Sequence, residues 1–442
     1  MPKLNEPLSA DVPVVIIGAG LAGLTCAVNL HDAGVPVVVL EASDGVGGRV
    51  RTDRHPDGYL LDRGYQVMLS GYPALQRHVD LAALNPGSFD AGAHIWTGRR
   101  LLPVADPFRH PTALLRDLTA PIFPASDKAR LVPFAAKSLL KGWDSAADAA
   151  LDGDDDRSAE DELRAYGFSD RFIDRFARPF WGGILLDRTL SGSAGTLRFT
   201  LKTFLLGSAV LPADGIGAVA AQLAARLPAG SIRLNQRVES LARTDEQITG
   251  VFIGGDTLPA AHVVVATDPP AAKALTGIGT IPEQGLGNVT VYLAGERDPG
   301  IGPRLVLDGT GRRKVNEIAP LSAVAPTYAP KGQHLIAAVL LGEESLANPD
   351  DDILARAARN DAARMLGHDL DDWSAIAVAR VPFSQFAQPP GIHRTLPTNQ
   401  TGTPGLTLAG EYTVDSSVNG AMLSGHRAAR FIVSRQSSGV SG

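Results

Sequence analysis

Residues 14–49, VVIIGAGLAGLTCAVNLHDAGVPVVVLEASDGVGGR, leave this chain few folds to choose from. A short apolar run, Val14 to Ile17, predicts a buried strand, and Gly18, Gly20 and Gly23 follow it at once. Their spacing suits a tight turn, a close backbone approach to a pyrophosphate, and close packing of the next helix. That helix opens near Leu21 and Ala22, so its unpaired N–H groups point at the phosphate. Gly34 is a good left-handed end for it, Val37 to Leu40 make the next strand, and Glu41, followed by Ala42, is placed to bind a ribose diol. An acid there disfavours a 2′-phosphate, which ranks FAD or NAD above NADP. Pro13 to Val28 carries no charge, yet this run is shorter than a bilayer requires and its three glycines weaken a membrane span further.

The rest of the chain is ordinary for a globular protein, with 442 residues, 44% hydrophobic and 20% charged. That length has room for roughly two or three domains. A net charge of −6 with dispersed arginines argues against a nucleic-acid partner. The single Cys26 rules out an intrachain disulfide framework, and no cysteine cluster could hold zinc or iron–sulfur, so no metal site is expected. A cytoplasmic address is the default expectation. Residues 1–12 lack the features of a signal peptide and read as a disordered lead-in; SRQSSGVSG at the other end reads as a polar tail.

From Tyr72 to about Gly207 strand signals thin out and helical periodicity takes over, as in Ser126 to Trp143 and Ser158 to Tyr166. Nucleotide-domain character returns at Leu211. LPADGIGAVAAQLAARLP suggests a turn and helix, SIRLNQRVESLART a strand, GVFIGG a strand, and HVVVATDPP a strand running into a loop. Strands VTVYLAG, HLIAAVLLG and IAVARVP then mix with a helix from Asp351 to Leu366. GLTLAGEYTVDSSVNGAMLSGHRAARFIVSR adds a final strand, a loop and a closing helix. The acidic run DGDDDRSAEDE fails as a calcium loop, because Arg157 stands where glycine is required and Leu163 where the bidentate glutamate belongs. A solvated loop, capped by Ser158 into the next helix, is expected there instead.

Together these segments resemble the flavin-dependent superfamily of amine oxidases, protoporphyrinogen oxidases and phytoene desaturases, over nearly the whole chain. The N-terminal fingerprint is followed by Gly47-Gly48-Arg49, similar to the superfamily's second glycine turn, whose arginine reaches the FAD pyrophosphate. Val238 matches the position whose backbone contacts adenine, and Val263 to Thr267, with Ala266, matches the strand returning to the cofactor. Gly410-Glu411 with Asn419-Gly420-Ala421 resembles the C-terminal flavin motif, in which the acid binds the ribityl or pyrophosphate region and helix amides face flavin O2. That last match has its own rationale, since a helix N-terminus stabilises the negative charge of reduced flavin.

The resemblance implies an α/β fold. A discontinuous Rossmann-like FAD-binding domain with a parallel sheet would comprise residues 1–71, 208–287 and 398–442. A mixed α+β substrate-binding domain with a helical block would comprise 72–207 and 288–397. FAD is then the expected cofactor, with flavin N5 as the redox centre and no catalytic side chain assigned. PFWGGILLDRTLSGSAG, FLLGSAVLPADGIGAVAAQLA and VAPTYAPKGQHLI resemble stretches of phytoene-desaturase-like proteins, which implies desaturation or dehydrogenation of an apolar, isoprenoid-like small molecule. Phe180, Trp181 and Tyr328 are candidates for lining its pocket, although aromatics at such positions are more often core.

Amine oxidation is the alternative, but Ser416-Ser417-Val418 stands where amine oxidases carry an aromatic cage residue, and Lys314 is the only candidate for their flavin-facing lysine. A third reading, from another class, is similarity to non-redox escort proteins that bind prenylated partners on the same fold; the phosphate turn, Glu41 and Arg49 argue against it. His334 and His426, among ten histidines, read as structural donors. Ser126 to Trp143 combines four basic residues with Leu131, Phe134, Leu139, Leu140 and Trp143. Pro133 favours packing within the protein, with peripheral membrane contact as the alternative. Oligomeric state is left open.

Overall fold

Val14–Ile17 lies at the centre of a five-stranded parallel sheet, in the order Ile232–Arg233, Val37–Leu40, Val14–Ile17, His262–Val265, Leu406–Leu408. The computed structural model of the protein describes residues 12–105, 122, 124–153 and 156–439. The expected lead-in therefore falls almost wholly outside the described residues. Val14–Ile17 and His262–Val265 are buried throughout, as parallel strands covered on both faces should be. The first helix, Leu21–Asp32, ends at Ala33, and Gly34 beyond it takes φ +76°. Against it lies the closing helix, Val418–Gly439, whose Gly425 sits so close that an added Cβ would be 2.2 Å from the Ala22 carbonyl oxygen.

A second, seven-stranded sheet runs in the order Ser374–Phe386, Gly285–Gly295, His334–Leu341, Val315–Ala319, Leu305–Asp308, Gly92–Trp96, Leu101–Ala105. It is antiparallel except where Leu305–Asp308 meets Gly92–Trp96. The helix Asp351–Leu366 packs on it and is capped by Asp350, whose carboxylate accepts from the Ile353 amide. The helix Arg178–Leu185 packs against the sheet's strands Leu305–Asp308 and Val315–Ala319 and shares a hydrophobic cluster with the helix Ala194–Leu206. Phe168, Phe172, Phe176 and Phe180 form a file there, with successive ring centroids 4.4, 5.5 and 5.3 Å apart.

Four expectations need correction. Gly92–Trp96 and Leu101–Ala105 are strands inside the stretch expected to be helical, and what holds them is pairing with each other and with Leu305–Asp308. SIRLNQRVESLART is two strands, because Asn235 turns left-handed (φ +55°) after Ile232–Arg233, and Ser240–Thr244 then joins a separate three-stranded antiparallel sheet. The helix expected over Ser126–Trp143 is Ala125–Leu139, with Trp143 buried beyond its end. The closing helix continues to Gly439 through most of the expected tail. Ser158 does cap the next helix, accepting from the Asp161 amide. No helix among the described residues is long and apolar enough to cross a membrane.

Asp62, at the end of the short strand Leu60–Asp62, links that strand to the seven-stranded sheet and to the segment before the helix Ala218–Ala224. Its carboxylate accepts from Thr52 Oγ1 (2.5 Å), the Ile216 amide (3.1 Å) and Tyr328 Oη (2.9 Å), while Tyr292 Oη donates to its carbonyl (2.6 Å). Burial pushes this carboxyl up from 3.8 to about 6, against the pull of those donors. A raised acid pKa means the folded state holds the proton longer, so the stabilisation is complete below about pH 4 and is lost as pH rises through 6. A two-unit shift corresponds to roughly 3 kcal/mol. Asp62→Asn should accordingly remove a downward slope in thermal midpoint between pH 4 and 6; parallel wild-type and variant profiles would contradict this.

Candidate active site

The two glycine turns meet beyond the carboxyl ends of the parallel strands. Gly20 and Gly47 pair as an isolated parallel bridge, and the Gly47 amide donates to the Ala19 carbonyl (2.8 Å). Gly18 (φ +104°) and Gly47 (φ +111°) hold conformations that side chains rarely adopt. A Cβ on Gly18 would stand 2.9 Å from the Ala266 carbonyl oxygen, and one on Gly23 only 2.0 Å from the Gly18 oxygen. Gly20 differs, since a Cβ there would meet nothing within 4 Å. Its backbone therefore faces open space at a helix N-terminus, which is what a phosphate needs.

Glu41 organises the neighbouring edge. One carboxylate oxygen accepts from the Ala19 amide (2.8 Å), the other from the amide (2.9 Å) and hydroxyl (2.7 Å) of Ser43. The Gln236 amide donates to the Glu41 carbonyl (2.8 Å) and the Asn235 amide to that of Ser43 (3.0 Å), which brings Val238 alongside. Across the cleft, Arg49 donates to the Ser384 carbonyl (2.9 Å) and pairs through Nη2 with the Glu411 carboxylate. Glu411 is buried, and its Oε1 has no hydrogen-bond partner among the described residues. A buried acceptor left open in this way fits a ribityl or ribose hydroxyl, so the donor and acceptor set matches the cofactor expected from the sequence.

These elements line a cavity of about 820 Å³. Of the residues expected at the cofactor, it brings together Gly18, Gly20, Leu21, Ala22, Glu41, Ala42, Gly47, Gly48, Arg49, Val238, Ala266, Gly410, Glu411 and Ala421. Gly23, Asn419 and Gly420 stand behind the wall. Gly23 serves helix packing, as its close approach to Gly18 shows. Asn419 is fully buried, accepting from the Ala74 amide (3.0 Å) and donating to the Asp144 carbonyl (2.8 Å). Gly420 permits the turn of the chain against the Asp415 carbonyl, 2.1 Å from where a Cβ would lie. Ser417 takes two of the first-turn N–H groups, its Oγ that of Gly420 (2.9 Å) and its carbonyl that of Ala421 (3.0 Å), and helix geometry leaves those of Val418 and Asn419 without intrahelical partners.

The far half of the cavity is bounded by the helices Arg178–Leu185 and Ala194–Leu206 and by the seven-stranded sheet. Phe180 lines it, with Ile184, Leu185, Leu186, Phe199, Phe204, Leu305, Leu307 and Val381. Trp181 and Tyr328 do not; both are core, and Tyr328 is the Asp62 partner. Lys314 is a surface residue paired with Glu344 (2.8 Å). His426 bonds Asn29 (3.0 Å), and His334 is outside the lining. Sequence reasoning missed Glu317, a buried acid on the cavity wall whose carboxyl burial pushes up from 4.5 to about 7. Its signal was a lone acid at the centre of VNEIA, a strand otherwise readable as core. No group of side chains among the described residues could hold a metal ion.

Comparison with known proteins agrees with this geometry. The family model for flavin containing amine oxidoreductase matches residues 21–433. The chain is 26% identical over 446 residues to hydroxysqualene dehydroxylase of Sinorhizobium fredii, covering 95% of this chain and 98% of that protein. It is 22% identical over 484 residues to the 15-cis-phytoene desaturase of Capsicum annuum, covering 98% and 79%. Putrescine oxidase in complex with putrescine superposes with a TM-score of 0.72 at 18% identity, over 96% of this chain and 99% of the other, a likeness of fold.

Two substitutions test the cradle. Glu41→Ala should weaken FAD binding by roughly 10–100-fold, the loss of hydrogen bonds to a charged acceptor. Arg49→Ala should weaken it too and also lower the thermal midpoint, because it strips the cation from buried Glu411. Equilibrium dialysis with flavin absorbance reads both, and full flavin occupancy in either variant would count against that residue's place in the site.

Proposed function

The chain belongs to the family of flavin-containing amine oxidoreductases, and from that membership we propose that it removes hydride from a C–H bond of an apolar, isoprenoid-like small molecule, as a desaturase or dehydrogenase. FAD, when bound, supplies the two-electron acceptor at N5. Glu41 and the two glycine turns would hold its ribose and pyrophosphate. Glu411 and Arg49 would hold the ribityl region, and the first turn of the closing helix would set N–H groups toward the flavin O2 edge. We assign residues 1–71, 208–287 and 398–442 to this cofactor-binding part, and 72–207 and 288–397 to substrate binding.

The observation that carries the reading is the wall facing the cradle, where Phe180, Ile184, Leu185, Phe199, Phe204, Leu305 and Leu307 present apolar surface within one continuous cavity. Such walls desolvate a hydrocarbon chain and exclude water from the redox centre. The names of hydroxysqualene dehydroxylase and phytoene desaturase, both matched over most of their length, support the same substrate class. The amine-oxidase alternative draws on the fold shared with putrescine oxidase. Against it stand Ser416, Ser417 and Val418 on the cavity wall and the commitment of Lys314 to Glu344 at the surface. Membership of a redox family likewise counts against a non-redox binder of prenylated partners.

An apolar substrate also suggests where the molecule would meet its source. Val132 midway along Ala125–Leu139 and Leu139 and Leu140 at its end are exposed, and Leu140 is 87% accessible. Lys137 stands beside them, with Lys141 close by in an ion pair with Asp152 (2.8 Å), and exposed apolar side chains next to a lysine suit a bilayer surface carrying anionic lipid. Flotation with anionic liposomes should carry wild-type protein upward and leave Leu139→Asp/Leu140→Asp behind; protein that stays at the bottom in both cases removes peripheral contact from the reading.

For the chemistry, anaerobic titration of the FAD-loaded protein with a panel of amines and carotenoid precursors reports hydride transfer whatever the reoxidant. Bleaching of the oxidised flavin band by the isoprenoids and not by putrescine is the expected result. Bleaching by simple amines alone would reverse the ranking.

A further inference from the structure

We propose that the Glu317 carboxyl and the Tyr65 hydroxyl form a polar subsite that holds the hydroxyl group of an otherwise apolar alcohol. The inference rests on the reading of the cavity as the site of an apolar chain, and adds the point at which such a chain is anchored.

Glu317 occupies the middle of Val315–Ala319, a strand buried along its whole length, and yet lines the cavity. Among the described residues its carboxyl receives one hydrogen bond, from Asn316 Nδ2 to Oε2 (3.0 Å). It has no salt-bridge partner there. Arg188, the cation that acts on it, is engaged with Asp308, at 3.8 Å from the carboxylate and 3.1 Å from the carbonyl. Space for the carboxyl is kept by Gly183 on the facing helix, where a Cβ would fall 1.9 Å from Oε2 and 3.0 Å from Oε1. Gly183 lines the same cavity.

Tyr65 is the second half of the pair. Its amide is fixed by Thr290 Oγ1 (3.0 Å), the residue lines the cavity, and its buried Oη has no partner among the described residues. Thr290 and Glu317 both stand opposite Val339 in the sheet register, one on each side of it, so Tyr65 and Glu317 meet the same face of the sheet. Burial, and after it the nearby Glu317 charge, push the phenol's pKa up. Two under-partnered polar groups within reach of each other's field, on one wall of an otherwise apolar cavity, are costly unless a third group completes them.

A hydroxyl matches that unused bonding capacity, because it donates one hydrogen bond and accepts two. It can donate to a Glu317 oxygen and accept from the Tyr65 O–H. Burial raises Glu317 to about 7, so near neutral pH both its acid and its carboxylate form are populated, while Tyr65 stays protonated. A hydroxyl can bond either form of the acid, whereas an ammonium has no lone pair to accept from the Tyr65 O–H.

Farnesol, farnesene and farnesylamine share one chain and separate the possibilities. Binding to the FAD-loaded protein is read anaerobically from the perturbation of the flavin spectrum and from tryptophan fluorescence, with no turnover required. Wild type should bind farnesol about 10-fold more tightly than farnesene, the worth of one or two buried hydrogen bonds. Glu317→Gln should keep most of that preference, while Glu317→Leu and Tyr65→Phe should each reduce it and leave farnesene affinity unchanged. Flavin content and thermal midpoint check that each variant is folded. Equal binding of alcohol and hydrocarbon by wild type overturns the anchor alone. Failure of both to bind overturns the anchor together with the apolar-chain reading. Tightest binding of the amine, lost in Glu317→Gln, overturns the alcohol assignment in favour of an ammonium site.

Discussion

The phosphate end of this molecule depends on one strand receiving partners that it cannot reach locally. Val14–Ile17 is hydrogen-bonded on one side to Val37–Leu40, its own crossover partner, and on the other to His262–Val265. Parallel pairing always needs a crossover, but here the second partner lies beyond the entire helical block. The Ala266 amide donates to the Ile17 carbonyl, and the Ala266 carbonyl is what a Cβ on Gly18 would strike. Gly18 is thus constrained by a distant segment as much as by its own turn. The cradle forms only when the middle of the chain is in place.

The same dependence recurs across the cleft. Arg49 belongs to the second glycine turn and Glu411 to the end of the last strand, so their ion pair links the beginning of the chain to its end. Buried ion pairs contribute little net stability when desolvation is counted. Their geometry nevertheless restricts where the two segments can sit, and it leaves one buried Glu411 oxygen without a partner among the described residues. The pair is better understood as a device for position, with the closing helix packed on the first helix through Gly425 supplying the apolar contact that holds it.

What the sequence disclosed follows from how local each signal was. The strand, turn, helix and strand from Val14 to Leu40 appear at the expected residues, because period, glycine placement and burial act within one unit. The strands Gly92–Trp96 and Leu101–Ala105 were hidden, since their identity rests on a pairing with Leu305–Asp308 that no local pattern announces. Asn419 and Ala421 were read as one motif, yet two residues along a helix differ by about 200° in direction, so one enters the core and the other the cavity. Phe180 and Trp181 divide in the same way. The pocket was visible as a composition; which face of each helix it touched was not.

The relation between Gly183 and Glu317 shows how such a fold can change substrates without disturbing its cofactor. The cradle is built from backbone and from groups fixed by the parallel sheet, so few of its positions tolerate replacement. The far wall is side chains on one helix facing side chains on one sheet. There a single glycine sets where the carboxyl lies, because a Cβ at position 183 would fall 1.9 Å from Glu317 Oε2. A larger residue at 183 would force the Glu317 carboxyl out of its present position. Exchanging that pair for an apolar residue facing a small one would convert a wall with a polar anchor into a uniformly greasy one, at no cost to the parallel sheet or the glycine turns. Substrate choice is then a property of the contact between this helix and this sheet, set independently of the redox chemistry it serves.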